Sequence, residues 1–145
     1  MTEIAFTVRG LPVPQGALVR SPSGGLYNSR GAALGDWRHA ISDECRRAMS
    51  GLPALGGPVR VLATFYLPRP KGHYRSDGQT LRPAAPAFPA GRPDVDKLAR
   101  AALDALSAVA FDDDAQVVVL IAAKEYADDE PVGASISISE LVARP

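Results

Sequence analysis

The chain has 145 residues, of which 46% are hydrophobic, and this size and composition predict one folded domain over residues 1–145. Its 16 basic and 16 acidic side chains cancel, so net charge alone gives no argument for a nucleic-acid partner. No apolar run reaches the roughly 18–20 residues that span a bilayer, and the single Cys45 excludes an internal disulfide, so we expect a cytoplasmic protein with no membrane partner.

A first strand and a hairpin are predicted near the N-terminus. In "IAFTVRG", apolar residues alternate over residues 4–8, a pattern typical of a strand, and Gly10 ends it. Two short apolar stretches then flank "SPSGG" at residues 21–25. This turn sequence predicts a hairpin over residues 11–29.

The next segment has the period of a helix. Apolar side chains recur at steps of four over residues 36–49 and predict an amphipathic helix with Asp36 as its N-cap. The apolar positions are Trp37, Ile41, Cys45 and Met49. Residues 59–68 are rich in β-branched and aromatic side chains, which indicates a buried strand.

The second half of the chain begins with a long loop. Residues 69–93 have no apolar period, and an insert of this length inside a compact domain is usually functional or disordered. A helix is predicted over residues 94–108. It is followed by a strand over residues 115–127, apolar on both faces as in the centre of a sheet, and by a last strand over residues 134–141. These elements predict an α+β fold, a small α/β sandwich in which two helices cover a mixed sheet of about four to five strands.

Charge is distributed unevenly along the chain. Residues 60–100 contain eight basic and three acidic side chains, whereas residues 101–145 contain two basic and nine acidic ones. A basic segment beside an acidic one is compatible with a polyanion held next to a metal ion. It is equally compatible with a solvated surface of uneven charge.

Two groups of aspartates are the candidates for chemistry. Asp94 and Asp96 lie at the start of the second helix, where a carboxylate can also serve as a cap and is favoured by the helix dipole. Residues 112–114 are three consecutive aspartates after that helix, and acids are also common in solvated turns. A helix of about 15 residues is about 22 Å long. The two groups therefore meet only if the turn folds back over the helix or a partner subunit contributes.

Carboxylates that converge would restrict the choice of metal. Oxygen ligands without histidine or cysteine suit Mg²⁺ or Mn²⁺ rather than Zn²⁺. A metal ion held in this way activates water and neutralises charge on a phosphoryl oxygen. The residues alone therefore favour phosphodiester chemistry if the acids meet.

The aspartate motifs resemble those of a known family. "RPDVDKLARAALDAL", followed by "FDDDAQV", is similar to the Holliday junction resolvases of the RusA family (endodeoxyribonuclease RusA). These have an Asp-x-Asp-Asn-x-x-Lys helix and a later Asp-Asp-x-Gln before a strand. The resemblance implies a homodimer that binds branched DNA and nicks opposing strands of a four-way junction symmetrically, using Mg²⁺ with Mn²⁺ as a substitute. A phage or prophage origin is compatible with it.

The resemblance also implies roles for individual acids. Asp94 and Asp96 match the first two catalytic, metal-binding aspartates of the family, and Asp114 matches the third. Asp113 falls on the neighbouring position and is expected to be an auxiliary metal ligand. Asp104 matches a recurrent family aspartate, although the polarity of a helix surface explains it equally well.

The basic residues depart from the family pattern at two positions. Lys97 stands where the family has asparagine, and Arg100 stands where it has its catalytic lysine, so these two are the expected catalytic substitutes for that lysine. Arg100 lies four residues after Asp96 and therefore on the same helix face. Contacts to the DNA backbone are expected from the preceding loop, through Lys71, His73, Arg75 and Arg92.

Two other interpretations stay open. Lys97 and Arg100 favour a catalytically silent module that binds branched DNA. A scaffold protein whose acids are solvated turns is the third possibility. In all three, the ridge formed by Leu98, Ala102 and Leu106 is predicted to belong to the core rather than to a dimer seam.

Overall fold

The computed structural model describes residues 2–16, 18–28 and 31–143. Its strands are β1 (Glu3–Arg9), β2 (Leu18–Arg20), β3 (Leu26–Asn28), β4 (Val59–Leu67), β5 (Val117–Tyr126) and β6 (Gly133–Glu140), and its helices are α1 (Gly31–Met49) and α2 (Val95–Leu106). Strands β2 and β3 form the predicted hairpin, apart from the main sheet. Within this described part of the chain, no helix has the length and apolar character needed to cross a membrane.

Four strands form one mixed sheet in the order β1-β6-β4-β5. Strand β6 pairs antiparallel with β1 and β4, whereas β5 runs parallel to β4. Parallel neighbours need a crossover, and α2 lies in the connection between them. Along β4, every second residue is buried and those between are half-buried, and the buried row joins both helices in one core. The predicted α+β sandwich is confirmed.

Helix α1 begins at Gly31, so the prediction that Asp36 is its N-cap is wrong. Leu34 is 2% exposed and extends the buried stripe of the helix by one more step toward the N-terminus. Asp36 lies on the exposed side of the same helix. The buried apolar stripe, rather than the first capping residue in the sequence, sets where this helix starts.

Helix α2 is built on the predicted ridge. Leu98, Ala102 and Leu106 are at most 1% exposed, which confirms their place in the core. The helix ends at Leu106 because Ala108 adopts a φ of 67°, in the left-handed region. The amide of Ala108 donates to the carbonyl oxygen of the fully buried Phe111 at 2.7 Å. This tight turn sends the chain back along the helix.

Strand β5 lies at the edge of the sheet, so the prediction that it is a central strand is wrong. In the described part of the chain its free side has no partner strand. Its apolar side chains are exposed on both faces, to 59% for Val118, 37% for Val119, 42% for Leu120 and 58% for Ile121. An exposed apolar edge of this kind is a surface that another chain can cover.

Candidate active site

The acidic turn, formed by the three aspartates at residues 112–114, folds back along α2 within one subunit. After the helix ends, the amide of Ala110 donates to the carbonyl oxygen of Leu106 at 2.8 Å. Asp114 then reaches Arg100, which lies six residues before the end of the helix. The fold-back that the sequence allowed therefore brings Asp114 as far as Arg100, while among the described residues no three acidic side chains converge there. No partner subunit is needed to bring Asp114 to α2.

Arg100 links two carboxylates. Its Nη2 atom contacts Oδ2 of Asp114 and lies 2.9 Å from Oδ1 of Asp104. Burial lowers the pKa of Arg100, but the hydrogen bonds and negative charges of Asp114 and Asp104 outweigh burial and raise that pKa above its ordinary value. A guanidinium that stays charged is a poor proton donor. Arg100 therefore fits charge compensation rather than acid catalysis.

Asp114 has one oxygen without a partner. Its Oδ1 atom is buried and has no hydrogen-bond partner among the described residues, although 35% of the side chain is exposed. Leaving a buried acceptor without a donor is costly. This oxygen is not committed to another side chain, and the metal-binding role of Asp114 stays a prediction.

Asp94 lies just before α2, and Asp96 lies on its first turn. Asp94 occupies the N-cap position, yet its side chain makes no capping hydrogen bond. Its Oδ2 atom lies 3.5 Å from Nζ of Lys97 instead. Asp96 is exposed and shares its helix face with Arg100. Helix capping therefore does not account for the Asp94 carboxylate.

The acids fit a divalent cation by their chemistry. Among the described residues, no three acidic, histidine or cysteine side chains are close enough to form a ready metal site. All of the acids nevertheless offer the oxygen ligands that Mg²⁺ requires. Lys97 lies beside Asp94 and Arg100 lies beside Asp114, so each of these carboxylates has a cationic partner. The side chains of Lys97 and Arg100 thus place positive charge beside these acids, as a bound metal ion would.

Gln116 holds the acidic turn in place. It belongs to the Asp-Asp-x-Gln motif, but sequence reasoning assigned it no role. Its Oε1 atom accepts from the amides of Asp112 and Asp113 at 2.8 and 3.0 Å, and its Nε2 atom donates to the carbonyl oxygens of Leu55 and Gly57 at 2.8 and 2.9 Å. The Asp113 side chain completes a capping box for the short turn. An Asp-x-x-Gln pattern is the sequence signal for such a box. The auxiliary metal role of Asp113 stays a prediction.

Replacing Gln116 by leucine is expected to lower the free energy of unfolding by about 1–3 kcal/mol, because amides and carbonyls in a partly buried turn lose their partner. Urea denaturation monitored by tryptophan fluorescence measures the change. Gln116→Glu is a graded control, since it keeps the acceptor and loses the donors. A leucine variant as stable as wild type would contradict the anchoring role.

Asp104 also has a structural partner on α1. Nη2 of Arg38 lies 2.8 Å from Oδ2 of Asp104 and contacts Oε1 of Gln15. The amide of Gln15 donates to the carbonyl oxygen of Lys97 at 3.0 Å. These bonds tie the N-terminal segment and α1 to the helix that carries the acids. Sequence reasoning assigned no role to Arg38 or Gln15, and no periodic pattern marks them.

Part of the loop forms an ordered basic pocket. Lys71, Arg75 and Arg82 line an open cavity of about 440 Å³. The amide of Arg75 donates to the carbonyl oxygen of Thr80 at 2.7 Å and closes a turn. Hydrogen bonds from the Thr80 side chain and from the turn amides hold the pKa of Asp77 below its ordinary value, so this acid stays ionised and braces the turn. The sequence did not predict a role for Arg82, which this turn brings to the same cavity as Lys71 and Arg75.

The other end of the loop carries Arg92. This exposed residue lines a separate open cavity of about 470 Å³, whose walls are mostly proline and which also includes Tyr126. Arg92 therefore lies apart from the basic pocket but only two residues before Asp94. Its contact with DNA stays a prediction.

His73 faces the protein's own side chains. Its Nδ1 atom lies 3.2 Å from Nη1 of Arg69, and its ring meets Tyr126 edge-on with centroids 5.5 Å apart. The Arg69 guanidinium lies 4.1 Å from the centroid of the same Tyr126 ring and donates to Asp128 at 2.7 and 2.9 Å. This hydrogen bonding raises the pKa of Arg69 and lowers that of Asp128. The group anchors the loop to the end of β5, and DNA contact by His73 stays a prediction.

The one cysteine does not contribute a nucleophile. Cys45 is fully buried in α1, and burial raises the pKa of its thiol to about 11. The thiol is therefore protonated at neutral pH and unreactive.

Carboxylates on α2 and in the turn that reaches it, after a basic loop on an α+β scaffold, are compatible with a nuclease. The family model "Endodeoxyribonuclease RusA" matches residues 12–139, and the chain belongs to this endodeoxyribonuclease family. Membership implies a nuclease that acts in the resolution of Holliday junctions. The chain is also 29% identical over 130 residues to the "Uncharacterized protein YqaN" of Bacillus subtilis (strain 168), covering 89% of this chain and 92% of that protein.

Proposed function

We propose that this protein is a Mg²⁺-dependent, structure-specific endonuclease that acts as a homodimer and resolves four-way DNA junctions by paired symmetric nicks. The observation that carries the proposal is the contact between Asp114 and Arg100. It sets the third acid beside the helix face that carries Asp96. The ordered basic loop that leads into this helix supplies the positive charge that DNA phosphates require.

Asp94, Asp96 and Asp114 are the proposed metal ligands, with Asp113 as an auxiliary. Bound there, Mg²⁺, or Mn²⁺ in its place, would polarise a water molecule and neutralise charge on a phosphoryl oxygen. The unpartnered Oδ1 atom of Asp114 supports its part in this set. The missing capping bond of Asp94 supports the same role, because its carboxylate is not committed to the helix backbone.

Arg100 and Lys97 divide the remaining chemistry between them. Arg100 keeps its charge and stabilises the negative charge that develops on the phosphate. Lys97 is 49% exposed, so its flexible side chain can turn from Asp94 toward the DNA. A lysine can transfer a proton where an arginine cannot. We assign protonation of the departing 3′ oxygen to Lys97, which leaves a 3′-hydroxyl and a 5′-phosphate.

The basic pocket is the proposed contact with the DNA backbone. Lys71 and Arg75 line it together with Arg82, and all three are exposed. Arg92 precedes the proposed acid site, which consists of Asp94, Asp96 and Asp114, and is proposed to contact a phosphate closer to the cleaved bond. His73, which also helps to anchor the loop, is proposed as a further contact with the DNA backbone.

Arg75→Gln is expected to weaken junction binding and to reduce the slope of log affinity against log salt by about 0.9, the value for one phosphate contact on duplex DNA. Fluorescence anisotropy over a series of salt concentrations measures this slope. Arg46→Gln is the matched control, because Arg46 is an exposed arginine of α1, 62% accessible and outside the loop. An unchanged slope in Arg75→Gln would rule out a phosphate contact at that position.

The exposed residues of β5 are the proposed dimer surface. Four consecutive apolar side chains, from Val118 to Ile121, are uncovered on a strand with a free edge. A second copy of the strand would cover both the apolar side chains and the open backbone groups. A symmetric pair of subunits also carries two acid sites, as paired nicks on opposing strands require.

A labelled synthetic four-way junction, incubated with the protein and Mg²⁺, tests the proposal. Symmetric nicks in the junction are expected, with none on a linear duplex and none in EDTA. Tight junction binding without nicks at any Mg²⁺ or Mn²⁺ concentration would overturn the proposed endonuclease activity. That outcome would leave the catalytically silent binding module, which the departures at Lys97 and Arg100 favour.

A further inference from the structure

Lys124 holds the backbone that leads into the acid site. It lies on β5, level with the buried Phe65 of β4, and is itself half-buried. Its ammonium group donates to the carbonyl oxygen of Pro93 at 2.8 Å and also to that of Gly91. Pro93 immediately precedes Asp94. One side chain on the sheet therefore fixes two carbonyl groups of the segment that enters α2.

The backbone before α2 matters because Asp94 is not fixed by its own helix. The Asp94 side chain makes no capping hydrogen bond, and 52% of it is exposed. Its carboxylate therefore takes its position from the backbone that carries it. The first hydrogen bond of α2, from the amide of Leu98 to the carbonyl oxygen of Asp94 at 3.1 Å, depends on the same backbone.

The charge of Lys124 is not committed to an ion pair. Among the described residues, no carboxylate oxygen lies within 4.0 Å of its Nζ atom. Two of its three N–H groups go to neutral carbonyl oxygens. A lysine on an edge strand ordinarily extends into water. Here the side chain instead turns back to the loop, and hydrogen bonds from a charged donor are among the stronger ones.

We propose that Lys124 is a positioning residue for the acid site. By fixing the carbonyl oxygens of Gly91 and Pro93, it sets the Asp94 carboxylate for metal binding. This proposal rests on the proposed function, in which Asp94 is a metal ligand. Lys124 itself is not proposed to touch the metal ion or the DNA.

Three variants separate positioning from general stability. Lys124→Met keeps the length of the side chain and removes its donors, Lys124→Arg keeps a charged donor, and Glu125→Gln is the control on the adjacent, outward-facing position of the strand. Hydrogen–deuterium exchange gives the first readout. In Lys124→Met, the amide of Leu98 is expected to exchange roughly tenfold faster, as when a hydrogen bond to a charged group is lost. Exchange in α1 is expected to stay at the wild-type rate.

Mn²⁺ binding, followed by the paramagnetic resonance of the free ion, gives the second readout. Lys124→Met is expected to bind Mn²⁺ about 10–100-fold more weakly, the usual effect of losing a group that orients a metal ligand. Lys124→Arg is expected to recover most of this loss, and Glu125→Gln to match wild type. A Lys124→Met protein that only melts earlier, with wild-type exchange at Leu98 and wild-type Mn²⁺ affinity, would overturn the positioning role. A wild-type protein that neither binds Mn²⁺ nor cuts junctions would instead overturn the proposed function.

Discussion

Replacing Asp114 by asparagine is expected to slow junction cleavage by at least about 10²–10³-fold, because a weakened metal site would no longer neutralise the negative charge that develops on the phosphate. The carboxamide cannot supply the charge of the carboxylate whose Oδ1 atom lies buried and unpartnered. Affinity for the junction is expected to stay unchanged or to rise slightly, because a negative charge near the phosphate is lost. Single-turnover cleavage of a labelled junction measures the rate, and anisotropy in EDTA measures the affinity.

Asp112→Asn is the matched control for this experiment. Asp112 belongs to the same acidic turn, and its backbone amide, rather than its carboxylate, is bound by Gln116. Its substitution is therefore expected to leave the cleavage rate within about twofold, as for most exposed positions. In Asp114→Asn, Arg100 keeps its second partner Asp104, so the helix face retains an ion pair. If both variants lost activity equally, the charge of the turn as a whole would matter, and Asp114 would have no special role.

The features that follow from local periodicity could be predicted from the sequence. The apolar ridge predicted for α2 is buried in the core, because apolar residues at steps of four lie on one face of a helix and that face packs inward. The aspartates were also recognisable, since their paired motif does not depend on the fold. What brings Asp114 to Arg100 was not predictable. It depends on Ala108 in the left-handed region and on the buried Phe111, neither of which has a periodic signal.

Strand β5 shows why burial cannot be inferred from apolar character alone. A central strand and an edge strand that meets another chain are both apolar on two faces. The run from Val118 to Ile121 fits either pattern, and only the strand order of the sheet distinguishes them.

The arginines of the loop show that the role of a charged residue likewise cannot be inferred from sequence composition alone. Arg69 and Arg75 both contribute to the basic segment of the sequence. The side chain of Arg69 is 4% exposed and paired with Asp128, whereas Arg75 lines an open pocket. A count of charges cannot separate an arginine that holds a loop from one that can hold DNA.

The far end of β5 explains how a loop without apolar period is nevertheless ordered. Lys124 and Tyr126 are two positions apart on β5, so their side chains point to the same side. Asp128 follows in the bend after the strand. Lys124 binds the end of the loop that enters α2, whereas Tyr126 and Asp128 bind Arg69 at its beginning. Both ends of the loop are therefore fixed to one strand. The same strand carries the proposed dimer surface nearer its start.

Replacing Ile121 by lysine is expected to convert the proposed dimer into a monomer that retains its fold. Ile121 is 58% exposed on the free edge strand, so in a monomer the lysine extends into water at little cost. In a dimer formed through β5, the lysine would place an unpaired charge inside the interface. A substitution of this kind at the centre of an interface costs about 2 kcal/mol or more, which weakens association about thirtyfold. Sedimentation equilibrium measures the dissociation constant.

Leu52→Lys is the matched control, because Leu52 is 54% exposed and lies in the segment after α1 rather than on β5. The same chemical change at this site is expected to leave the dimer intact. A dimeric Ile121→Lys protein would place the interface elsewhere, and a monomeric wild type would exclude the proposed dimer.

The effect of dimerisation on cleavage can be measured with the same variant. Because Asp96 and Asp114 both belong to the neighbourhood of Arg100 in one subunit, the monomeric variant is expected to make single nicks that are no longer paired. Complete loss of cleavage in a folded monomer would mean instead that the partner subunit completes the acid site.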